Sequence, residues 1–149
     1  MQPCLVTSYT ATKTVSNIVY NVNQATLTAG NYQFDESPVC NYPETVTVTN
    51  LPAWTIHNVA SSDFTIPQNG NLSLVGSYTV TLRSEIKIPN DYTKTTFKTL
   101  FVEYPFPIQV GGCVVNTYTA VQVLTLISYN VGAPTLTSPK YTFDESPVC

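Results

Sequence analysis

Thr45-Val46-Thr47-Val48-Thr49 and Gly76-Ser77-Tyr78-Thr79-Val80-Thr81-Leu82 alternate polar and apolar side chains residue by residue. In an extended chain that period of two puts Val46, Val48, Tyr78, Val80 and Leu82 on one face, the pattern of a half-buried β-strand. Working outward, residues 4–14, 17–22, 54–58, 71–75 and 95–104 read as further strands. Breakers fall between them: Ala29-Gly30-Asn31, Ser37-Pro38, Leu51-Pro52, Pro67-Gln68-Asn69-Gly70 and Pro89-Asn90-Asp91. No ten residues keep a helical period, and β-branched residues and tyrosines abound. Roughly seven to nine short strands with turn signals at this spacing predict an all-β sandwich.

Tyr32-Gln33-Phe34-Asp35-Glu36-Ser37-Pro38-Val39-Cys40 returns 109 positions later as Tyr141-Thr142-Phe143-Asp144-Glu145-Ser146-Pro147-Val148-Cys149. The likeness extends upstream without a gap, so that residues 1–40 align on 110–149 and twenty of the forty pairs are identical. Tyr9-Thr10-Ala11 lies over Tyr118-Thr119-Ala120, and Tyr20-Asn21-Val22 over Tyr129-Asn130-Val131. Self-similarity at a fixed period marks a repeat array. The sequence divides into one complete repeat, 1–112, and the first third of the next, 113–149, with residues 105–112 reading as a short connection. A third of a β-domain cannot bury its apolar face alone. Val114, Val121, Val123, Leu124, Leu126 and Ile127 would be left in water. Residues 113–149 are therefore expected to be completed by a neighbouring unit or by continuing chain.

Composition narrows the function. Of the 149 residues 43% are hydrophobic, enough for a core, but only 10% are charged, against about 25% in an ordinary globular domain. Threonines and other uncharged polar groups must wet the surface. The net charge is −3 and no Lys/Arg cluster occurs. No nucleic-acid partner is expected, because phosphate binding takes several basic contacts. No apolar run approaches the roughly 20 residues of a membrane helix, so no membrane span is expected either.

The four cysteines obey the same period, Cys4 with Cys113 and Cys40 with Cys149. No Cys-x-x-Cys pair exists, and the single histidine, His57, has no counterpart in the repeated part, so zinc spacing is absent. Regularly placed pairs in a chain of low charge point to disulfides Cys4–Cys40 and Cys113–Cys149 and to an oxidising, extracellular compartment. The competing reading is four buried thiols in a cytosolic protein.

The strand Gly76-Ser77-Tyr78-Thr79-Val80-Thr81-Leu82 resembles the Gly-x-Tyr-x-Val-x-Val/Leu strand of immunoglobulin-like, bacterial-Ig and PKD-like repeats, where the tyrosine packs at a corner. Residues 17–22 and the later Phe34…Cys40-Asn41-Tyr42 resemble blocks in the cysteine-paired repeats of giant extracellular fibre and surface proteins of microbes, protists included. The resemblance implies an immunoglobulin-like β-sandwich. Trp54 follows both cysteines instead of lying between them, which departs from the antibody pattern.

Candidate chemistry is sparse. Asp35-Glu36 and Asp144-Glu145 could suggest catalytic carboxylates or a calcium site. Neighbouring strand residues face opposite ways, however, and no Asp-x-Asp loop lies nearby. A polar turn leading to the disulfide is the expectation. His57 as a general base would need a nucleophile, and no Gly-x-Ser-x-Gly is present. No catalytic residue, metal or cofactor is expected. Asn71-Leu72-Ser73 is an N-glycosylation sequon, and exposed threonines are candidate O-glycan acceptors, so covalent glycans are expected partners. Tyr9, Tyr20 and Tyr78 read as core or corner residues. The expected function is a structural repeat of an extracellular filament or cell-surface stalk, its partners identical or homologous repeats set head to tail in a homopolymer. The alternatives are a pilus-like subunit polymerising by donor-strand complementation and an adhesin or carbohydrate-binding module. Near-identity between repeats favours the first two, because a binding site tends to make one domain differ from its neighbours.

Overall fold

Strand follows strand through the chain. The computed structural model describes residues 4–90, 96–122, 130–132, 134–135 and 141–146. Within them lie β1 (Ser8–Lys13), β2 (Ile18–Asn21), β3 (Leu27–Ala29), β4 (Gln33–Ser37), β5 (Glu44–Thr49), β6 (Ile56–Asn58), β7 (Asp63–Ile66), β8 (Gly76–Pro89), β9 (Phe97–Gly111), β10 (Thr117–Gln122) and β11 (Thr142–Ser146). The fold is all-β. Among the described residues no helix is long and apolar enough to cross a membrane. Cys149 and the expected interior positions Val123, Leu124, Leu126 and Ile127 lie outside the described residues.

Four strands form one sheet in the order β2-β9-β8-β5, and three form another, β3-β7-β6. β8 and β9 make a long antiparallel hairpin, from Gly76 opposite Val110 to Pro89 opposite Phe97. β5 adds antiparallel to β8, and β2 adds parallel to β9. The alternation that opened the sequence reading is realised here. Along β8, Val80, Leu82, Ser84, Ile86 and Ile88 are buried at every second position. From the opposite layer come Phe64 and Ile66 of β7. The Phe64 and Phe106 rings meet at 5.1 Å between centroids, and Tyr20, Ile18, Ile108 and Val110 complete the same core. Two sheets sharing one core in this way are compatible with a β-sandwich. Each large apolar side chain so buried contributes about 1.5–3 kcal/mol. Tyr20 is fully buried with its hydroxyl satisfied, accepting the Asn69 N–H at 2.8 Å and lying 3.2 Å from the Gln24 carbonyl.

Four sequence expectations need correction. Residues 71–75 form no strand but a 3-10 turn at Leu72–Leu74. The Asn71 side chain accepts the Ser73 N–H at 3.0 Å, a local bond that competes with extended backbone. Asp35-Glu36 lies within β4 and not in a turn. Residues 105–111 are no linker, for β9 continues through Pro105 and Pro107 to Gly111. Those prolines lie just outside the stretch that β2 pairs, Ile108–Gly111. A residue lacking an N–H is tolerated where the strand edge makes no ladder bond. Finally, β8 and β9 are much longer than the short strands expected, at 14 and 15 residues.

Candidate functional site

The repeated sequence builds two small antiparallel pairs, β1 with β4 and β10 with β11. In the first, Ser8 faces Ser37, Tyr9 faces Glu36, Thr10 faces Asp35 and Ala11 faces Phe34. After a bulge, Lys13 faces Gln33. In the second, Thr117 faces Ser146, Tyr118 faces Glu145, Thr119 faces Asp144 and Ala120 faces Phe143. After the same bulge, Gln122 faces Thr142. Each partner is 109 residues on from its counterpart. The bond that closes the first pair, Thr7 N–H to the Ser37 carbonyl at 2.9 Å, recurs from Asn116 to Ser146 at 2.9 Å.

Around β1 and β4 the surroundings are complete. Glu36 holds the turn that follows, its Oε1 accepting the backbone N–H of Cys40 at 2.7 Å, of Tyr42 at 3.3 Å and of Asn41. That clamp sets Cys40 against Cys4, and the two form a disulfide. Tyr42 donates its hydroxyl to the Cys4 carbonyl at 2.7 Å. Ser84, fully buried on β8, gives its proton to Glu44 Oε1 at 2.6 Å, so the Tyr9 hydroxyl, 2.6 Å away, donates to Ser84. Burial pushes the Tyr9 phenol up to about 12, with Glu44 adding to the rise and the bond to Ser84 opposing it. Phe34 packs 6.3 Å from the Tyr104 ring of β9, and the Tyr104 hydroxyl accepts the Val15 N–H at 3.2 Å. Val6 joins Ile86 and Ile88 in a second apolar cluster under the disulfide.

Around β10 and β11 the apolar side chains stand differently. Phe34 is 8% exposed but Phe143 50%, and Tyr32 is 5% exposed but Tyr141 63%. Val6 and Val22 are buried, whereas Val115 and Val131 are exposed. The Tyr118 and Phe143 rings stack on each other at 5.5 Å and 15°. A shallow hollow lined by Tyr9, Phe34, Asp35 and Glu36 among others has its counterpart over Tyr118, Phe143, Asp144 and Glu145. Cys113 is disulfide-bonded; its expected partner, Cys149, lies outside the described residues.

The other candidates are scattered. His57 is half-buried, its Nε2 2.7 Å from the Tyr32 hydroxyl and its ring stacked on Phe64 at 5.1 Å. Burial lowers its pKa, with Asp63 opposing. Asn71 is exposed at the head of the 3-10 turn. Asp35 takes bonds from Thr12 and Gln33, which hold its carboxyl below the usual range. Among the described residues, no three His, Cys, Asp or Glu side chains stand close enough to hold a metal ion. The sequence reading missed the Glu36 clamp and the Tyr9–Ser84–Glu44 chain. The signal for the first was available: Glu36 and Cys40 keep the same spacing in both copies of the nine-residue block. Compared with known proteins, the sequence matches no family model and no curated protein.

Proposed function

We propose that this protein is a structural repeat unit of an extracellular filament or cell-surface stalk, an immunoglobulin-like domain joined head to tail to others of its kind. The carrying observation is that β10 and β11 repeat the register of β1 and β4 yet leave the matching apolar face bare. Three features support the immunoglobulin-like part. The sheets β3-β7-β6 and β5-β8-β9 match the B-E-D and C-F-G strand groups of that fold. The Tyr78 hydroxyl donates at 2.8 Å to the Leu74 carbonyl four residues upstream, the geometry of a tyrosine corner. Trp54 then packs edge-on against the Tyr78 ring at 5.3 Å. The Cys4–Cys40 disulfide supports an oxidising compartment. A surface of hydroxyls and amides, with Asn71 exposed, suits a glycosylated array.

Electron microscopy of native material tests the proposal. Strands of about 10–15 residues rise ~3.3 Å each, so a filament with an axial repeat of about 35–50 Å is expected. Dispersed monomers at every concentration would refute it. The pilus-like reading is favoured by the same bare face, since a strand lent by another subunit covers it equally well. A denaturing gel separates the two: one giant polypeptide supports the tandem array, a small band the exchanging subunit.

A further inference from the structure

We infer that the exposed face of β10 and β11 is a socket for a sheet of the β5-β8-β9 kind, supplied by another copy of the sequence 44–111. This rests on the repeat-unit reading and names the partner of that surface. The chain contains its own template for the contact. β1 and β4, identical in register, are covered by β8 and β9, and the atoms that meet are known: Tyr9 hydroxyl on Ser84, Phe34 ring beside Tyr104, Val6 against Ile86 and Ile88. The second pair presents Tyr118, Phe143 and Val115 at the corresponding places, all exposed. This chain's own β8-β9 hairpin already carries β1 and β4, so the occupant comes from another copy. The interface is apolar with one polar relay, Tyr9 to Ser84 to Glu44, which selects a sheet with a small hydroxyl at the Ser84 position backed by a carboxylate. A tyrosine hydroxyl buried without such a partner would be left unsatisfied, which disfavours a sheet lacking one.

The test lengthens the full chain at its C-terminus with a second copy of residues 41–111, which sets the effective concentration in the millimolar range. Hydrogen exchange is followed in 117–122 and 142–146, and binding of the dye ANS reports bare apolar surface. The expected result is amide protection raised about 100-fold or more in both segments and ANS emission reduced. Phe143→Asp in the lengthened chain should reverse both, while in the original chain it should leave the melting temperature unchanged. Exchange and dye binding equal to those of the original chain would overturn the inference. The lengthened chain is measured as a monomer. Masking there, with no filaments in native material, keeps the socket and removes the filament. Filaments in which 117–122 still exchanges freely do the reverse.

Discussion

β1 with β4 and β10 with β11 are the same antiparallel strand pair built twice, down to the bulge after the alanine, yet Phe34 of the first is buried and Phe143 of the second is exposed. Strand pairing and register thus recur with the repeated sequence, while burial is written elsewhere, in the β8-β9 hairpin that spans Gly76–Gly111, far downstream of β4. The sharpest test of that separation is a matched pair of truncations. Phe34→Ala should destabilise by about 3–5 kcal/mol, because it removes a ring packed between Tyr9, Tyr32 and Tyr104. Phe143→Ala should stay within about 0.5 kcal/mol, as surface substitutions do. Urea unfolding of both variants decides it, and equal losses would mean that the second face is covered in solution.

Much of this was legible beforehand, and for a physical reason. Alternation of side chains reports which face of a strand is buried, so Val80 and Leu82 could be placed without coordinates. The 109-residue offset also pointed to the pairing of Cys4 with Cys40, and those two form a disulfide. What stayed hidden depends on contacts distant in sequence. Ser84 looks like an ordinary polar residue of a strand until Glu44 and Tyr9 are brought to either side of it. Residues 71–75 alternate well enough for a strand, but one Asn side chain bonding two residues ahead folds them into a turn. Prolines at 105 and 107 read as a linker because nothing local reveals that β2 stops short of them.

The disulfides extend the comparison at the next level of effect. Cys4 and Cys40 close a loop across a sequence separation of 36, and cross-linking such a loop removes about 3–4 kcal/mol of unfolded-state entropy. The double variant Cys4→Ala, Cys40→Ala should lose about that much and melt well below the parent in a calorimetric scan. Cys113→Ala should lose less than half as much, since the neighbouring strands β10 and β11 carry an uncovered face. Intact-mass measurement with and without reductant checks the bonds themselves: four thiols alkylated before reduction would refute both pairings and weaken the extracellular reading.

A smaller effect isolates the hydroxyl relay. Tyr9→Phe deletes the donor to buried Ser84 and should lose about 0.5–1.5 kcal/mol, the ordinary worth of one protein hydrogen bond. Tyr118→Phe removes a hydroxyl from an exposed ring and should be neutral in this chain. In a chain lengthened by 41–111 the two substitutions should converge, a result that urea titration of all four proteins would show.

The smallest effect concerns pH, and it belongs to the first repeat alone. His57 packs on Tyr32 and Phe64, and burial lowers its pKa beneath the ordinary value of 6.5. The folded state therefore holds this proton less well than the unfolded chain. Between the lowered folded value and 6.5 the unfolded state binds more protons, so stability rises with pH there. It is full above about pH 6.5 and falls on acidification until the folded pKa is passed. Asp35, whose carboxyl pKa is lowered by the bonds from Gln33 and Thr12, moves away from the range in which the histidine titrates. The melting temperature should drop modestly from pH 7.5 to pH 5, and His57→Gln should flatten that slope while keeping a polar partner for the Tyr32 hydroxyl. Because Tyr141, the counterpart of Tyr32, is exposed and the repeated segment contains no histidine, protection in 141–146, taken relative to the intrinsic exchange rate at each pH, should not change across the window. If both segments respond alike, the pH dependence arises from something the two strand pairs share, and the histidine account fails.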